Sequence, residues 1–322
     1  MPSRLLEKLA ERLHPAEEDE AARFVSALAD PGLSASFAPC AIFTSGHVPV
    51  LPGGIVSSSD SLPWLPDFVL RFLPGTRVGQ LEAHAEGHLY SLDFSSVFAA
   101  SALLVIDSAP RILDVCAAPG GKSIFASRAL APGLLVANEV VGKRIGMLRG
   151  NLSRCGIPNA FTQRLDPSEL AAVAPAFFDL VLVDAPCSGQ SLLVKGIENP
   201  GCFHPSTVNR NVKRQRRILG ESAATVAPGG HLFYSTCTFS PEENEKVIGW
   251  LLKRHGEGFR PRLIPHLEEW RSPHADFPCY RLHPQEGLGA GAFACLLRRD
   301  EAGKRNEEPV ADLVRFPAGR GS

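Results

Sequence analysis

Two cysteines in this 322-residue chain stand where a thiol can do chemistry. The run Phe178-Asp-Leu-Val-Leu-Val-Asp184 breaks into Ala-Pro-Cys187-Ser-Gly, and His231-Leu-Phe-Tyr-Ser-Thr236 runs directly into Cys237. Each run is short and largely apolar, as a buried parallel strand is. Two thiols delivered by neighbouring strands, one of them three residues after Asp184, point to nucleophilic chemistry more than to packing. An ordinary thiol is only a few per cent ionised at neutral pH, so the attacking cysteine needs surroundings that favour thiolate. The other six (Cys40, Cys116, Cys155, Cys202, Cys279 and Cys295) show no CxxC spacing, and no metal site is expected. A chain of this length needs no disulfide staples, so most of these read as small buried hydrophobes.

A second stretch could hold a ligand beside those thiols. In Arg111-Ile-Leu-Asp-Val-Cys-Ala-Ala-Pro-Gly-Gly-Lys-Ser123, a strand gives way to the small-residue loop Ala117–Gly121, and helical spacing follows. Gly120 and Gly121 let backbone N–H groups approach a ligand at the helix N-terminus. The loop lacks G-x-G-x-x-G and the P-loop spacing, which favours a smaller nucleoside such as S-adenosylmethionine over a dinucleotide. The next strand ends in Glu139, 18 residues past Gly121, about where an acid meets a ribose hydroxyl pair. Arg144 and Asn151 fit a helix starting at Val140. Asp166 in the turn Leu165-Asp-Pro-Ser is expected to face the adenine.

These residues need a scaffold. Short apolar runs at Leu103–Ile106, Ile112–Val115, Leu134–Ala137, Leu180–Val183 and His231–Tyr234 read as strands. Between them lie helical stretches at 122–130, 141–154, 206–226 and 241–254, the last opened by Ser240 as N-cap and Pro241 at N1. The alternation predicts an α/β fold with a doubly wound, mostly parallel sheet. Tyr280–Leu282 and Ala292–Arg298 predict an antiparallel edge pair. Ahead of this unit, 4–30 predicts two short helices broken at Pro15, and Ala41–Phe43 and Phe68–Phe72 predict short strands. The expected organisation is a small α+β N-terminal domain over 1–84, a catalytic domain over 85–299 and a disordered tail over 300–322.

Hydrophobic content of 44%, charged content of 21% and a net charge of −1 describe a globular chain that does not hold nucleic acid by its global field. No apolar run reaches the roughly 18 residues of a membrane span. The acid-bearing N-terminus is not a secretory leader, and a cytoplasmic monomer is expected. Local charge is another matter. Residues 204–217 hold no acid and five full positive charges: Arg210, Lys213, Arg214, Arg216 and Arg217. Lying between the two cysteine motifs, they are candidates for phosphate contact.

Asp114-Val-Cys116-Ala117-Ala118-Pro119-Gly120-Gly121-Lys122, Asp184-Ala-Pro-Cys187-Ser-Gly, Tyr234-Ser-Thr-Cys237 and Pro241-Glu-Glu-Asn244-Glu occur in that order over roughly 85–298. They closely resemble the signature motifs of the Sun/Nop family of RNA (cytosine-5)-methyltransferases. The resemblance implies a Rossmann-like methyltransferase fold with S-adenosylmethionine on the 116–122 loop, Glu139, Asp166 and Asp184; Arg144, shortly after Glu139 in the chain, is a further candidate for the cofactor. It implies Cys237 as nucleophile, Cys187 in product release, and RNA as substrate, ribosomal before transfer RNA. It leaves the base for the carbon 5 proton unnamed. Tyr90-Ser-Leu92-Asp93-Phe-Ser95-Ser96 and Val194-Lys195-Gly-Ile-Glu-Asn199-Pro200 depart from the family pattern. Two other readings stand beside it. One is a non-catalytic RNA-binding or assembly factor keeping the cofactor fold; the other is a DNA methyltransferase, in which Cys237 would be superfluous.

Overall fold

The computed structural model describes residues 4–15, 17–30, 32–44, 51–56, 62–308, 311–314 and 317–318. Leu6, Leu9, Ala10 and Leu13 recur at helical spacing and form the buried face of α1 (Arg4–Leu13). Helix α2 (Glu18–Ala29) opens on three acids that suit its positive end, and buries Phe24, Ala27 and Leu28. After the single turn α3 (Leu33–Ser36) come β1 (Cys40–Phe43), β2 (Val69–Arg71), the turn α4 (Glu82–Ala85) and β3 (Leu89–Leu92). The three strands pair antiparallel in the order β2-β1-β3. Strand β3 therefore carries this small sheet past residue 84, where composition changes.

Helix α5 (Phe94–Ser101), capped by Asp93 on the Ser95 N–H, leads into the larger unit. Its elements are β4 (Arg111–Asp114), α6 (Gly121–Leu130), β5 (Leu134–Asn138), α7 (Gly142–Arg154), β6 (Ala160–Gln163), α8 (Pro167–Val173) and β7 (Phe178–Asp184). They continue with α9 (Pro205–Thr225), β8 (Val226–Thr236), α10 (Glu245–His255), β9 (Phe259–Pro261), β10 (Tyr280–Leu282) and β11 (Ala292–Arg299). The strands lie in the order β6-β5-β4-β7-β8-β11-β10. The first five are parallel; β11 runs antiparallel to both neighbours, and β9 pairs beyond β10 on β11. This is the class I methyltransferase arrangement.

Successive strand residues point to opposite faces, and both faces are apolar. Ile112, Leu135, Leu180 and Phe233 pack with α5, α6 and α7, whereas Leu113, Val136, Val181 and Leu232 pack with α8, α9 and α10. All eight are fully buried, each contributing roughly 1.5–3 kcal/mol of transfer free energy. The small sheet belongs to the first of these clusters. A third cluster seats Leu6, Leu9, Phe24 and Leu28 against Val194 and Phe239, so α1 and α2 brace the segments that follow the two cysteines.

Several local expectations change. Leu103 lies not in a strand but in a 3-10 turn, Ala102–Val105, that prolongs α5. A four-residue apolar run has no periodicity to separate the two states. Strand β6 is too short, and helix α8 lies in too loop-like a sequence, for periodicity to reveal either. Helix α7 starts at Gly142, and α10 starts at Glu245 rather than 241. Where it is described, the segment after 299 is docked. Arg305 pairs with Asp179, the Asn306 N–H donates to Ala176 O at 3.0 Å, and Leu313 is fully buried. A charged tail thus finds its partners along one rim of the sheet.

Candidate active site

Strand order reverses at β4, with β5 and β6 to one side and β7 and β8 to the other. The crevice at such a switch point is where an open α/β sheet binds ligands. Two loops rise into it, 115–120 after β4 and 185–189 after β7. Gly120 takes φ 118°, in the left-handed region, and turns the chain into α6. A Cβ on Gly121 would stand 2.6 Å from Leu92 Cδ1, so glycine is what lets the helix start against β3. Helix α7 holds the loop from the side: Arg144 donates to Ala118 O, and Asn151 Nδ2 donates to Pro119 O at 2.8 Å.

A cavity of about 450 Å³ opens over these strand ends. Its walls include Cys116, Ala118, Lys122 and Arg144 from the first loop and its supports, and Asp184, Cys187 and Cys237 from β7 and β8. Asp93, Ser95 and Lys195 close the remaining side, with Lys195 Nζ 3.3 Å from Asp93 Oδ2. Lys122 Nζ lies 2.8 Å from Asp184 Oδ2, and Ser235 Oγ donates to Asp184 Oδ1 at 2.7 Å. Burial alone would depress the Lys122 ammonium, but attraction and a hydrogen bond to Asp184, together with the nearby Cys237 and Asp114, hold the pKa above its usual value.

The two sulfurs sit 3.4 Å apart. Cys237 is exposed and Cys187 half-buried behind it. The Cys187 thiol, hydrogen-bonded to Cys237, lowers the Cys237 pKa; desolvation and the Asp184 carboxylate work against this, and Lys122 works with it. Cys187 moves the other way, pushed well up by its bond to Cys237 and by burial. The pair is therefore polarised, with the lower pKa on the accessible sulfur.

The family model for the 16S rRNA methyltransferase RsmB/F matches residues 101–298. The chain belongs to this family. Curated relatives called ribosomal RNA small subunit methyltransferase F match as well. That of Serratia proteamaculans is 34% identical over 266 residues, 80% of this chain and 55% of its own length. That of Escherichia coli O139:H28 is 38% identical over 176 residues, 54% of this chain and 37% of its own. The chain thus spans about half or less of the length of these relatives. A methyltransferase homolog protein from Pyrococcus horikoshii shares the fold at a TM-score of 0.68 and 22% identity, covering 92% of this chain and 99% of that one. So does NSun6 from Pyrococcus horikoshii, solved with SFG, at 0.69 and 17%, covering 94% and 99%.

In this RsmB/F member, then, the expected thiols, Asp184, Lys122, Cys116, Ala118 and Arg144 meet in one cavity. Glu139 stands at the adjoining strand end, 3% exposed, with Oε1 accepting from the Val141 N–H at 2.9 Å. Its Oε2 lies 3.1 Å from Arg144 Nη1 yet accepts no hydrogen bond. Asp166 is not brought to the cavity walls. It caps α8 in a reciprocal capping box with Glu169, and Arg217 grips it at 2.7 and 3.0 Å, holding its pKa down to about 2. Arg217 is correspondingly engaged, while Arg210, Lys213 and Arg214 stay on the exposed face of α9.

Other site residues carried no role in the sequence. Asn138 accepts from the Leu165 N–H and donates to Val115 O and Leu165 O, which ties together the loops that bear Glu139 and Asp166. Asp114 is fully buried under the cavity loop, takes a bond from Ser123 Oγ, and is pushed up by burial to about 7. The segment 241–244, expected as a first helical turn, instead turns back under the cysteine loops. Asn244 joins Thr236 Oγ1 to Thr238 O there. Arg281 reaches Phe239 O at 2.8 Å while paired with buried Glu245. Only the phrase Pro241-Glu-Glu-Asn-Glu could have signalled this, and as a sequence it also makes a good helix start.

Proposed function

We propose that this chain methylates carbon 5 of a cytosine in ribosomal RNA, with S-adenosylmethionine as the methyl donor. The observation that carries the reading is the pair of sulfurs, 3.4 Å apart, in the cavity at the sheet's switch point. The residues present suit the donor: backbone N–H groups at the start of ten-residue α6, and a buried Glu139 oxygen without a hydrogen bond at the end of β5. Glu139 would take the ribose hydroxyls, and the 116–122 loop the rest. Bound there, S-adenosylmethionine supplies an electrophilic methyl group.

Carbon 5 of cytosine is a poor nucleophile while the ring stays aromatic. Addition of the Cys237 thiolate at carbon 6 turns carbon 5 into the nucleophilic end of an enamine. Asp184, held by Lys122 and Ser235, would meet the N3 edge, and a proton shared between its carboxyl and N3 would offset the negative charge that gathers there. When carbon 5 has gained its methyl group it must lose its proton, and the Cys237–carbon 6 bond must break. Cys187, next to that bond, is assigned to this release. The exposed cations Arg210, Lys213 and Arg214 would hold RNA phosphates, and the Asp166 turn would border the adenine.

Small-subunit ribosomal RNA incubated with the protein and radiolabelled S-adenosylmethionine should become labelled, with bisulfite sequencing placing the label at carbon 5 of one cytosine. Folded protein that binds the donor but labels no RNA would favour the assembly-factor reading; label on nitrogen would remove the covalent mechanism.

A further inference from the structure

We infer that Glu243 is a positioning residue that sets the spacing of the two catalytic sulfurs. The inference rests on reading the site as a covalent methyltransfer centre, and it deepens that reading. Glu243 is fully buried, and among the described residues no cation pairs with it. An uncompensated carboxylate is a costly thing to bury, and burial pushes its pKa up. Its hydrogen bonds show what it does there. Oε1 accepts from the Ser188 N–H and from Gln215 Nε2, each at 2.9 Å. Oε2 accepts from Ser188 Oγ at 2.5 Å and from Thr238 Oγ1 at 3.4 Å.

Ser188 follows Cys187 in the chain, and Thr238 follows Cys237. One carboxylate therefore grips the residue after each cysteine, and the two hydroxyls meet each other at 2.8 Å. Gln215 also donates to Pro186 O at 3.0 Å, so the residues on both sides of Cys187 are fixed from α9. Glu243 is anchored in turn by its own carbonyl, which accepts from Tyr234 OH at 2.7 Å. The direct contact between the two hydroxyls also spans the loops, and Glu243 Oε2 accepts from both of them. With the clamp released, the loops are still joined by the Ser191 N–H on Cys237 O at 3.2 Å and the Phe239 N–H on Gln190 Oε1 at 3.0 Å, but the residues next to the two sulfurs lose their shared acceptor, and the 3.4 Å spacing that gives Cys237 its thiol partner loosens.

The demand is geometric, and this separates Glu243 from a proton carrier. Oε1 faces two N–H donors and must remain an acceptor. The partners of Oε2 are hydroxyls, which can turn to accept. Glu243→Gln can therefore keep every contact, with its amide oxygen at the Oε1 position and its NH2 at the Oε2 position. Glu243→Leu can keep none.

The test uses phenylarsine oxide, which captures two adjacent thiols with loss of water: one As–O double bond and two S–H bonds are replaced by two As–S bonds. Peptide mapping by mass spectrometry of the full chain reads the bridge between Cys187 and Cys237 specifically. Wild type and Glu243→Gln should form it at similar rates, and Glu243→Leu at least tenfold more slowly. The pH profile of Cys237 alkylation should move to higher pH in Glu243→Leu alone. Should Glu243→Leu fail to fold, Ser188→Ala/Thr238→Val removes both hydroxyl contacts to Oε2 and the hydroxyl–hydroxyl contact, leaves the carboxylate only the Ser188 N–H and Gln215, and should slow capture as well. Unchanged capture in Glu243→Leu or in the double variant overturns the inference. So does a loss in Glu243→Gln equal to that in Glu243→Leu, which would make the role one of charge. Neither readout involves RNA or methyl transfer, so absence of methylation with these results intact would sink the proposed function and not the clamp.

Discussion

Replacing Cys187 by alanine separates what the two sulfurs do for each other from what each does to substrate. The largest influence lowering the Cys237 pKa is its hydrogen bond with the Cys187 thiol. A hydrogen bond to a charged group contributes about 1.5–3 kcal/mol, but a thiol is a weak donor and Cys237 is exposed, so roughly 1 kcal/mol is the appropriate scale. At about 1.4 kcal/mol per tenfold, that corresponds to roughly fivefold less thiolate at pH values below the thiol's titration. The sign follows: losing the donor raises the Cys237 pKa, so the deficit is greatest near neutrality and disappears in base, where both forms are ionised. Cys187→Ala should therefore be alkylated at Cys237 by iodoacetamide about fivefold more slowly at neutral pH, and at wild-type rate near pH 11. With RNA it should still attack and methylate, yet accumulate a covalent complex that survives denaturing electrophoresis. Cys237→Ala should give neither product nor complex. Deleting a half-buried thiol can cost about 1–3 kcal/mol, so melting curves must first show both variants folded. Equal or faster alkylation in Cys187→Ala would refute the polarised pair, and a complex trapped by Cys237→Ala instead would reverse the two assignments.

Glu139→Gln keeps an acceptor for the Val141 N–H but gives up the carboxylate. Calorimetry should show S-adenosylmethionine binding weakened by about 1–1.5 kcal/mol, the difference between charged and neutral bonds; wild-type affinity would take Glu139 out of the site. Arg281→Met leaves Glu245 buried without its cation and should cost about 3–5 kcal/mol in denaturant unfolding, with much of the loss recovered by adding Glu245→Leu. The Arg281 pairing holds the Glu245 pKa down against burial, so this contribution is complete above the unfolded carboxyl value and is lost as pH falls through the folded one; the gap between wild type and Arg281→Met should narrow only in acid. Neutralising Arg210 and Arg214 should flatten the salt dependence of RNA binding by roughly 0.7 log units per lost contact to a single strand. Arg217→Gln should leave that slope unchanged, because Asp166 already holds Arg217.

What the sequence disclosed about the fold is what short-range physics encodes. Four of the five parallel strands, β4, β5, β7 and β8, and the helices α6, α7 and α9 were legible because a buried parallel strand must be apolar on both faces and a helix must show its 3.6-residue stripe. The turn at Gly120 was legible because only glycine adopts its φ of 118° without strain. The 3-10 turn at Ala102–Val105 was not, since its four apolar residues suit either state. Nor was the docking of the segment after 299. Arg305 pairs with Asp179 across 126 positions, and nothing in a charged stretch says whether a complementary rim awaits it.

The same distinction runs through the site. Cys187, Cys237, Asp184 and Glu139 were readable because each ends a strand, and strand ends of a doubly wound sheet converge on one edge whatever the side chains do next. Asp166 satisfies the same rule, yet its carboxylate caps α8 and grips Arg217, 51 residues away. The outcome depends on which face α9 turns towards α8. Apolar Ile218, Leu219 and Ala223, buried against the sheet, set that rotation; no property of Asp166 does. Basic residues on a helix next to a strand-end acid therefore have to be assigned together. Each one that reaches back to the acid is withdrawn from phosphate binding, and the acid it reaches is withdrawn from the ligand. Under the proposed function, this leaves Arg210, Lys213 and Arg214 on α9 as the candidates for RNA contact, Arg214 already donating to Asn211 Oδ1, and the Asp166 turn would border a bound nucleoside through its backbone more than through its carboxylate.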